Sequence, residues 1–193
     1  MKVILINGSR REKGCTYTAL NEVAKVLNAS DIETEIVHIG LDAVNGNIDN
    51  KVKEVAGLMK TADALIVGSP VYYASPSGEI IAFLDRLYGT CEKDLKFKPA
   101  AAVTSARRAG TTATLDVIYK YFSFAEMPIV SSRYWNMVHG NTPEEVLKDE
   151  EGIQIMKLLG RNMAWLLKSI EAGKKAGVEQ PAIEAKKFTN FIR

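Results

Sequence analysis

The sequence predicts an α/β architecture: a doubly wound sheet of five parallel strands with helices packed on both faces. Three observations predict it. Short apolar runs alternate with amphipathic stretches along the first two thirds of the chain. The amphipathic stretches have helical spacing, so each strand feeds a right-handed crossover to a parallel neighbour. Finally, the unusual residues sit after the first, third and fourth strands, the end of such a sheet where ligands bind.

The elements follow in order. Lys2 to Asn7 is β-branched-rich and stops at Gly8, a buried strand. Thr16 to Asn28 places Leu20, Val23, Ala24 and Leu27 on one helical face. Glu33 to Ile39 alternates polar and apolar residues, as a strand near an edge does. Asn50 to Thr61 is helical, with Val52, Val55, Ala56 and Met59 in register. Ala62 to Gly68 is a third strand stopped by Ser69-Pro70. Ser77 to Tyr88 is a helix burying Ile80, Ile81, Leu84 and Leu87. Ala100 to Ser105 is the fourth strand, Thr111 to Phe124 an aromatic-rich helix, and Met127 to Ser131 the fifth strand. Thr142-Pro143-Glu144-Glu145 is a helix start, with Thr142 as cap, Pro143 in the first turn and Glu145 closing a capping box. A short helix follows, then a long one from about Glu150 to Ala172, closed by Gly173.

Composition narrows the function. The 193 residues are 47% hydrophobic and 25% charged, with a net charge of +2. That is an ordinary globular balance, read as one domain over residues 1–193. The C-terminal tail, about 174–193, is expected to pack on this domain or on a partner subunit. So small a net charge gives no basic face for nucleic acid. The two cysteines, Cys15 and Cys91, read as free thiols of a reducing cytoplasm. The apolar start is too short for a signal peptide or membrane span. The expectation is a cytoplasmic protein that binds neither nucleic acid nor membrane.

Three loops carry the chemistry. Asn7-Gly8-Ser9-Arg10-Arg11-Glu12-Lys13-Gly14-Cys15-Thr16 leads a strand into a helix. Its glycines, its hydroxyls on Ser9, Thr16 and nearby Thr18, and the helix N-terminus can cradle a phosphate. It is neither a Walker A loop, because Cys15 stands where the lysine should be, nor a dinucleotide fingerprint, because Arg10 replaces the second glycine. The alternative is a plain strand–helix turn. Gly68-Ser69-Pro70-Val71-Tyr72-Tyr73 offers backbone amides and aromatic faces to a flat ring; alternatively the tyrosines only cover the sheet end. Thr104-Ser105-Ala106-Arg107-Arg108-Ala109-Gly110 can wrap the far side of that ligand or meet a second phosphate, unless its arginines are merely solvated. Tyr134-Trp135-Asn136 can shape a pocket of this chain or of a partner. His139 reads as structural rather than as a catalytic acid. Cys15, at a helix start, is either a reactive thiol or packing. No role is assigned to His38.

With Gly8-Ser9-x-Arg11-x-x-Gly14-x-Thr16, Gly68-Ser69-Pro70-Val71-Tyr72-Tyr73, the Tyr134 to Gly140 segment and the closing Thr189-Asn190-Phe191-Ile192-Arg193, the chain resembles the NADPH-dependent FMN reductase family of flavodoxin-like flavoproteins. The resemblance spans nearly the whole chain. It implies a flavodoxin-like sheet in the order 2-1-3-4-5 and FMN as cofactor. Ser9, Arg11, Cys15, Thr16 and Thr18 would line the phosphate. Pro70, Val71, Tyr72 and Tyr73 would border the isoalloxazine ring, with Ser105, Arg107 and Gly110 on its other side. No side-chain acid or base is implied as catalytic, and no metal. NAD(P)H would be the co-substrate, with a quinone, flavin or similar small molecule as acceptor. The alternatives are a flavodoxin-type electron carrier and a non-catalytic FMN-binding protein. A homodimer or dimer of dimers is also implied. Similar iron–sulfur flavoproteins carry a compact cysteine motif after the second strand; here that stretch, Leu41 to Asn47, has none, so no cluster is expected.

Overall fold

The computed structural model describes residues 1–189. Residues 190–193, which hold most of the C-terminal similarity, lie outside the described residues. The elements are β1 (Lys2–Asn7), α1 (Cys15–Asn28), β2 (Glu33–His38), α2 (Ile48–Met59), β3 (Ala64–Tyr72), β4 (Ser75–Pro76), α3 (Gly78–Leu95), β5 (Ala100–Ala106), α4 (Thr111–Phe124), β6 (Met137–His139), α5 (Pro143–Val146) and α6 (Glu150–Lys175). The sheet runs β2-β1-β3-β5-β6, every pair parallel, and β4 folds back antiparallel on β3. Without that small hairpin strand, this is the expected 2-1-3-4-5 order.

Apolar runs become central strands because both faces are covered. Alternate residues feed opposite cores. Ile4, Ile6, Leu65 and Val67 pack with α2, α3 and α4. Val3, Leu5, Ile66 and Val103 pack with α1 and α6. The central strands are thereby fixed in register, and with them the positions of their C-terminal loops. Among the described residues no helix is long and apolar enough to cross a membrane.

Several elements differ from the sequence reading. The fifth strand is not Met127–Ser131. There, only Ile129 bridges β5, opposite Ala100. The chain then detours through a turn in which the Ser132 hydroxyl donates to the Tyr134 carbonyl at 2.7 Å. It rejoins the edge as β6, with Met137 opposite Thr104. Apolar Met127 and Val130 anchor the first touch, and a short apolar pattern cannot distinguish one bridge from a ladder.

Pro70 does not end the third strand either: β3 continues through it to Tyr72, pairing Pro70 with Ser105. The reversal is a two-residue turn with Tyr73 at φ +52 and Ala74 at φ +57. Two left-handed residues suit the twist of a tight hairpin, but such turns ordinarily use Asn-Gly, so composition concealed this one. α3 runs on to Leu95 across a kink at Cys91. Gly173 lies inside α6, which instead runs to Lys175, with Ala176 as its cap and Gly177 following at φ +86.

Candidate functional site

The ends of β1, β3 and β5 border a cleft of about 230 Å³. Nine of the twelve residues singled out from sequence line it: Ser9, Arg11, Cys15, Thr16, Pro70, Val71, Tyr72, Ser105 and Arg107. Three stand off it. Thr18 turns its hydroxyl back to the Gly14 carbonyl at 3.2 Å, one helical turn earlier. Tyr73 sits at the hairpin tip, fully exposed. Gly110 supports the wall from behind. Its φ is +100, and a Cβ there would lie 2.7 Å from Ala74 Cα and 2.9 Å from Val71 Cγ1.

The loop after β1 is shaped from its own polar groups. Buried Asn7 donates through Nδ2 to the Glu12 carbonyl at 2.9 Å and accepts from the Ser9 amide at 3.1 Å. The Ser9 hydroxyl accepts from the Arg11 amide at 3.1 Å. The Ser77 hydroxyl donates to the Gly8 carbonyl at 2.8 Å, tying the loop to the start of α3. The Arg10 guanidinium pairs with buried Glu79 in the first turn of α3. His38 Nε2 lies 2.7 Å from the Ser9 carbonyl. A carbonyl only accepts, so that ring nitrogen carries the proton. His38 was missed in the sequence; the signal available was its place at the end of β2, in register with Asn7.

α1 and α4 differ from the other described helices in one respect: each starts with neither a side-chain cap nor an acid in its first turn, whereas α2, also without a side-chain cap, carries Asp49 there. α1 starts at Gly14 with no side-chain cap and no acid in its first turn. α4 starts at Gly110, left-handed, again uncapped and acid-free. By contrast α3, α5 and α6 are capped by Ser77, Thr142 and Asp149, and each carries acids in the first turn. An uncapped helix start presents free N–H groups and the positive end of the helix dipole. At α1 that end has Arg11 and the hydroxyls of Ser9 and Thr16 around it, the donor set an anion requires.

Thr16 is also joined to the opposite wall. Its hydroxyl meets that of Ser105 at 2.8 Å, and both residues are buried. Cys15 places its sulfur 3.7 Å from the Gly140 carbonyl. Burial pushes the Cys15 thiol up from its ordinary value, which disfavours the thiolate. Ala106, Gly140 and Asn141, all unassigned from sequence, complete the lining. His139 donates its backbone amide to Asp149 at 2.7 Å, and its Nε2 meets the Arg108 carbonyl at 3.2 Å. Tyr134 and Trp135 pack edge to face with centroids 4.5 Å apart, bordering a separate pocket beside Ile129 and Tyr119.

The donor set fits FMN. Hydroxyls, an uncapped helix start and Arg11 suit a phosphate at one end. At the other end the apolar and aromatic Pro70, Val71 and Tyr72 stand beside Ser105 and Arg107, Pro70 being paired with Ser105 on the neighbouring strand, which suits a ring with polar edges.

Comparison with known proteins supports FMN as the cofactor. The model of a family described as NADPH-dependent FMN reductase matches residues 1–142. An iron–sulfur flavoprotein of Methanocaldococcus jannaschii is 28% identical over 192 residues, covering 89% of this chain and 100% of that protein. Among solved structures, RosB with a bound riboflavin-5′-phosphate intermediate superposes with a TM-score of 0.71 at 14% identity, covering 100% of this chain and 98% of that one. A flavodoxin, WrbA-like protein from Agrobacterium tumefaciens superposes with a TM-score of 0.65 at 16% identity, covering 87% and 98%. At such identities the structural likeness speaks for the fold.

Proposed function

The chain belongs to the NADPH-dependent FMN reductase family, and from that premise we propose that this flavin-dependent oxidoreductase draws its electrons from NAD(P)H and passes them to a quinone, flavin or similar small acceptor. The observation that carries the reading is the uncapped, acid-free start of α1 beside Arg11 and Thr16, facing the wall of Val71 and Tyr72.

FMN, when bound, supplies the hydride chemistry; the protein's task is to hold it and control access. Ser9 and the α1 amides would take the phosphate, with Arg11 neutralising it. The Thr16 hydroxyl would donate to a phosphate oxygen while accepting from Ser105, so one hydroxyl pair serves both walls. Pro70, Val71 and Tyr72 would orient the ring. Arg107, exposed where it lines the cleft, would meet the phosphate-bearing donor. No side-chain acid or base is required of this site.

The donor set does not fit the iron–sulfur cluster that the relatives' name implies. The sequence has two cysteines. Cys15 packs with the core on one face of the sheet, and Cys91 lies in the core on the other. Among the described residues no three His, Cys, Asp or Glu side chains gather as a metal set. We therefore assign two-electron traffic between small molecules. The proposal includes a homodimer in the cytoplasm, with exposed Trp135 and Trp165 available for contact; sedimentation as a monomer at micromolar concentration would contradict that part.

The test is an anaerobic visible spectrum of the protein with FMN, followed after NADPH and then NADH. Binding with bleaching by one donor supports the reductase and identifies that donor. Binding without bleaching by either favours a carrier or a non-catalytic flavin protein. No binding removes the cofactor assignment.

A further inference from the structure

A second concave surface lies between α3 and α4, with a volume of about 590 Å³. Tyr88, Val117, Tyr121 and Phe124 make its apolar part, and Asp85 and Glu92 supply two carboxylates against the single cation Lys120. Phe124 is 65% exposed, an uncommon state for a phenylalanine on an ordered helix. Burial holds the Tyr88 hydroxyl far above its ordinary range, so the floor stays neutral. Nothing in the proposed reductase chemistry uses this surface.

The chain itself reaches it. After α6, Lys186 pairs with Glu92 at 2.7 Å and stands 4.8 Å over the Phe124 ring. Both partners line the groove. Phe188 follows two residues later, 88% exposed. The sequence from Lys186 reads Lys-Lys-Phe-Thr-Asn-Phe-Ile-Arg, with three cations, three large apolar residues and no acidic side chain. That charge complements the Asp85 and Glu92 rim, and the apolar residues match the floor. Length is sufficient: seven residues beyond Lys186 reach up to about 25 Å extended, whereas Glu92 to Asp85 along α3 is only about 10 Å.

We propose that the groove between α3 and α4 is the docking site of this chain's own C-terminal segment, residues 186–193, anchored by Lys186 on Glu92 and Phe124. The docked segment clamps together the two helices whose N-termini carry the walls of the cleft, since α3 begins beside Ser77 and α4 beside Gly110.

The test is disulfide trapping in the full chain, with Lys120→Cys on the groove and Thr189→Cys on the segment, in a Cys15→Ser, Cys91→Ala background. Oxidation is expected to give a cross-linked monomer on a non-reducing gel. Lys186→Glu added to that pair should cut the yield several-fold, and Lys186→Glu with Glu92→Lys should restore it. In the chain ending at Ala185, the dye 8-anilinonaphthalene-1-sulfonate should fluoresce more strongly, and the 186–193 peptide should reverse the gain. A cross-linked dimer would overturn the assignment in favour of a second copy's tail. No cross-link, or a yield indifferent to Lys186, would overturn docking itself.

Discussion

The Thr16–Ser105 hydroxyl pair separates stability from cofactor binding, and Thr16→Val tests the separation. Valine keeps the shape and removes the hydroxyl from a bond of 2.8 Å between two buried residues. The bond is worth about 1 kcal/mol net, and the stranded Ser105 hydroxyl adds a desolvation cost of similar size, so the apoprotein should lose about 1–2 kcal/mol. For a domain of this size that lowers Tm by roughly 2–8 °C. Removing both partners is nearly neutral, so Thr16→Val with Ser105→Ala should return the apoprotein to within about 0.5 kcal/mol of wild type. FMN affinity should behave differently. The lost bond to a charged phosphate is worth about 1.5–3 kcal/mol, a weakening of roughly 10- to 150-fold, and the double variant should not recover it. Apoprotein melting and quenching of FMN fluorescence read the two quantities independently. Full recovery of affinity in the double variant, or an unchanged Kd in Thr16→Val, would refute the assignment of Thr16 to the phosphate.

Three further expectations rest on single observations. His38→Ala removes the proton donor on the Ser9 carbonyl; at about 1 kcal/mol for such a bond, FMN affinity should fall roughly fivefold, read by the same titration, with little change in maximal rate. Gly110→Ala puts a methyl against Ala74 and Val71 in a left-handed conformation and should cost at least about 1–2 kcal/mol, seen in chemical denaturation together with weaker FMN binding as the hairpin is pushed inward. Cys91 supplies a pH dependence: burial pushes its thiol up from 9.0 to about 11. A raised pKa in the folded state stabilises fully below the unfolded value and is lost as pH climbs through the folded one. Wild type should therefore lose roughly 2–3 kcal/mol between pH 9 and 11 that Cys91→Ala does not lose; parallel denaturation curves for the two would remove the thiol as the cause.

How much of this was legible follows from what each signal encodes. The buried runs at Lys2–Asn7 and Ala100–Ser105 admit one reading, because both faces of a central parallel strand must be apolar. The loop after β1 was legible as a candidate site because its glycines and hydroxyls fall at a strand–helix junction, at the end of the sheet where ligands bind. The hairpin was not, because Tyr73 and Ala74 hold left-handed conformations that their side chains disfavour and tertiary packing imposes. Gly110, tucked against Ala74, is part of what imposes it. The edge strand was misplaced because Met127–Ser131 and Met137–His139 share one role, touching β5 at opposite ends with the Ser132 turn between them. His38 was invisible because a histidine on an edge strand signals nothing until register places it beside Asn7.

The uncapped start of α1 makes a last prediction, one that sets stability against function. A helix left without a cap forgoes stability that Asp at that position would supply, so its retention at Gly14 needs a reason, and the phosphate is the reason offered here. Gly14→Ala and Gly14→Asp place the same Cβ about 3.0 Å from Arg11 Cβ, so any local strain is common to both. Only aspartate can accept from the free amides of the first turn and oppose the positive end of the dipole. Asp over Ala at this position is worth about 1 kcal/mol, so Gly14→Asp should melt roughly 2–4 °C above Gly14→Ala as apoprotein. With FMN the order should invert. The carboxylate occupies the donors the phosphate needs and repels it, and the affinity of Gly14→Asp should fall at least tenfold below that of Gly14→Ala. Equal affinities in the two variants would mean that the α1 N-terminus is an ordinary helix start and that the phosphate, if it binds at all, binds elsewhere.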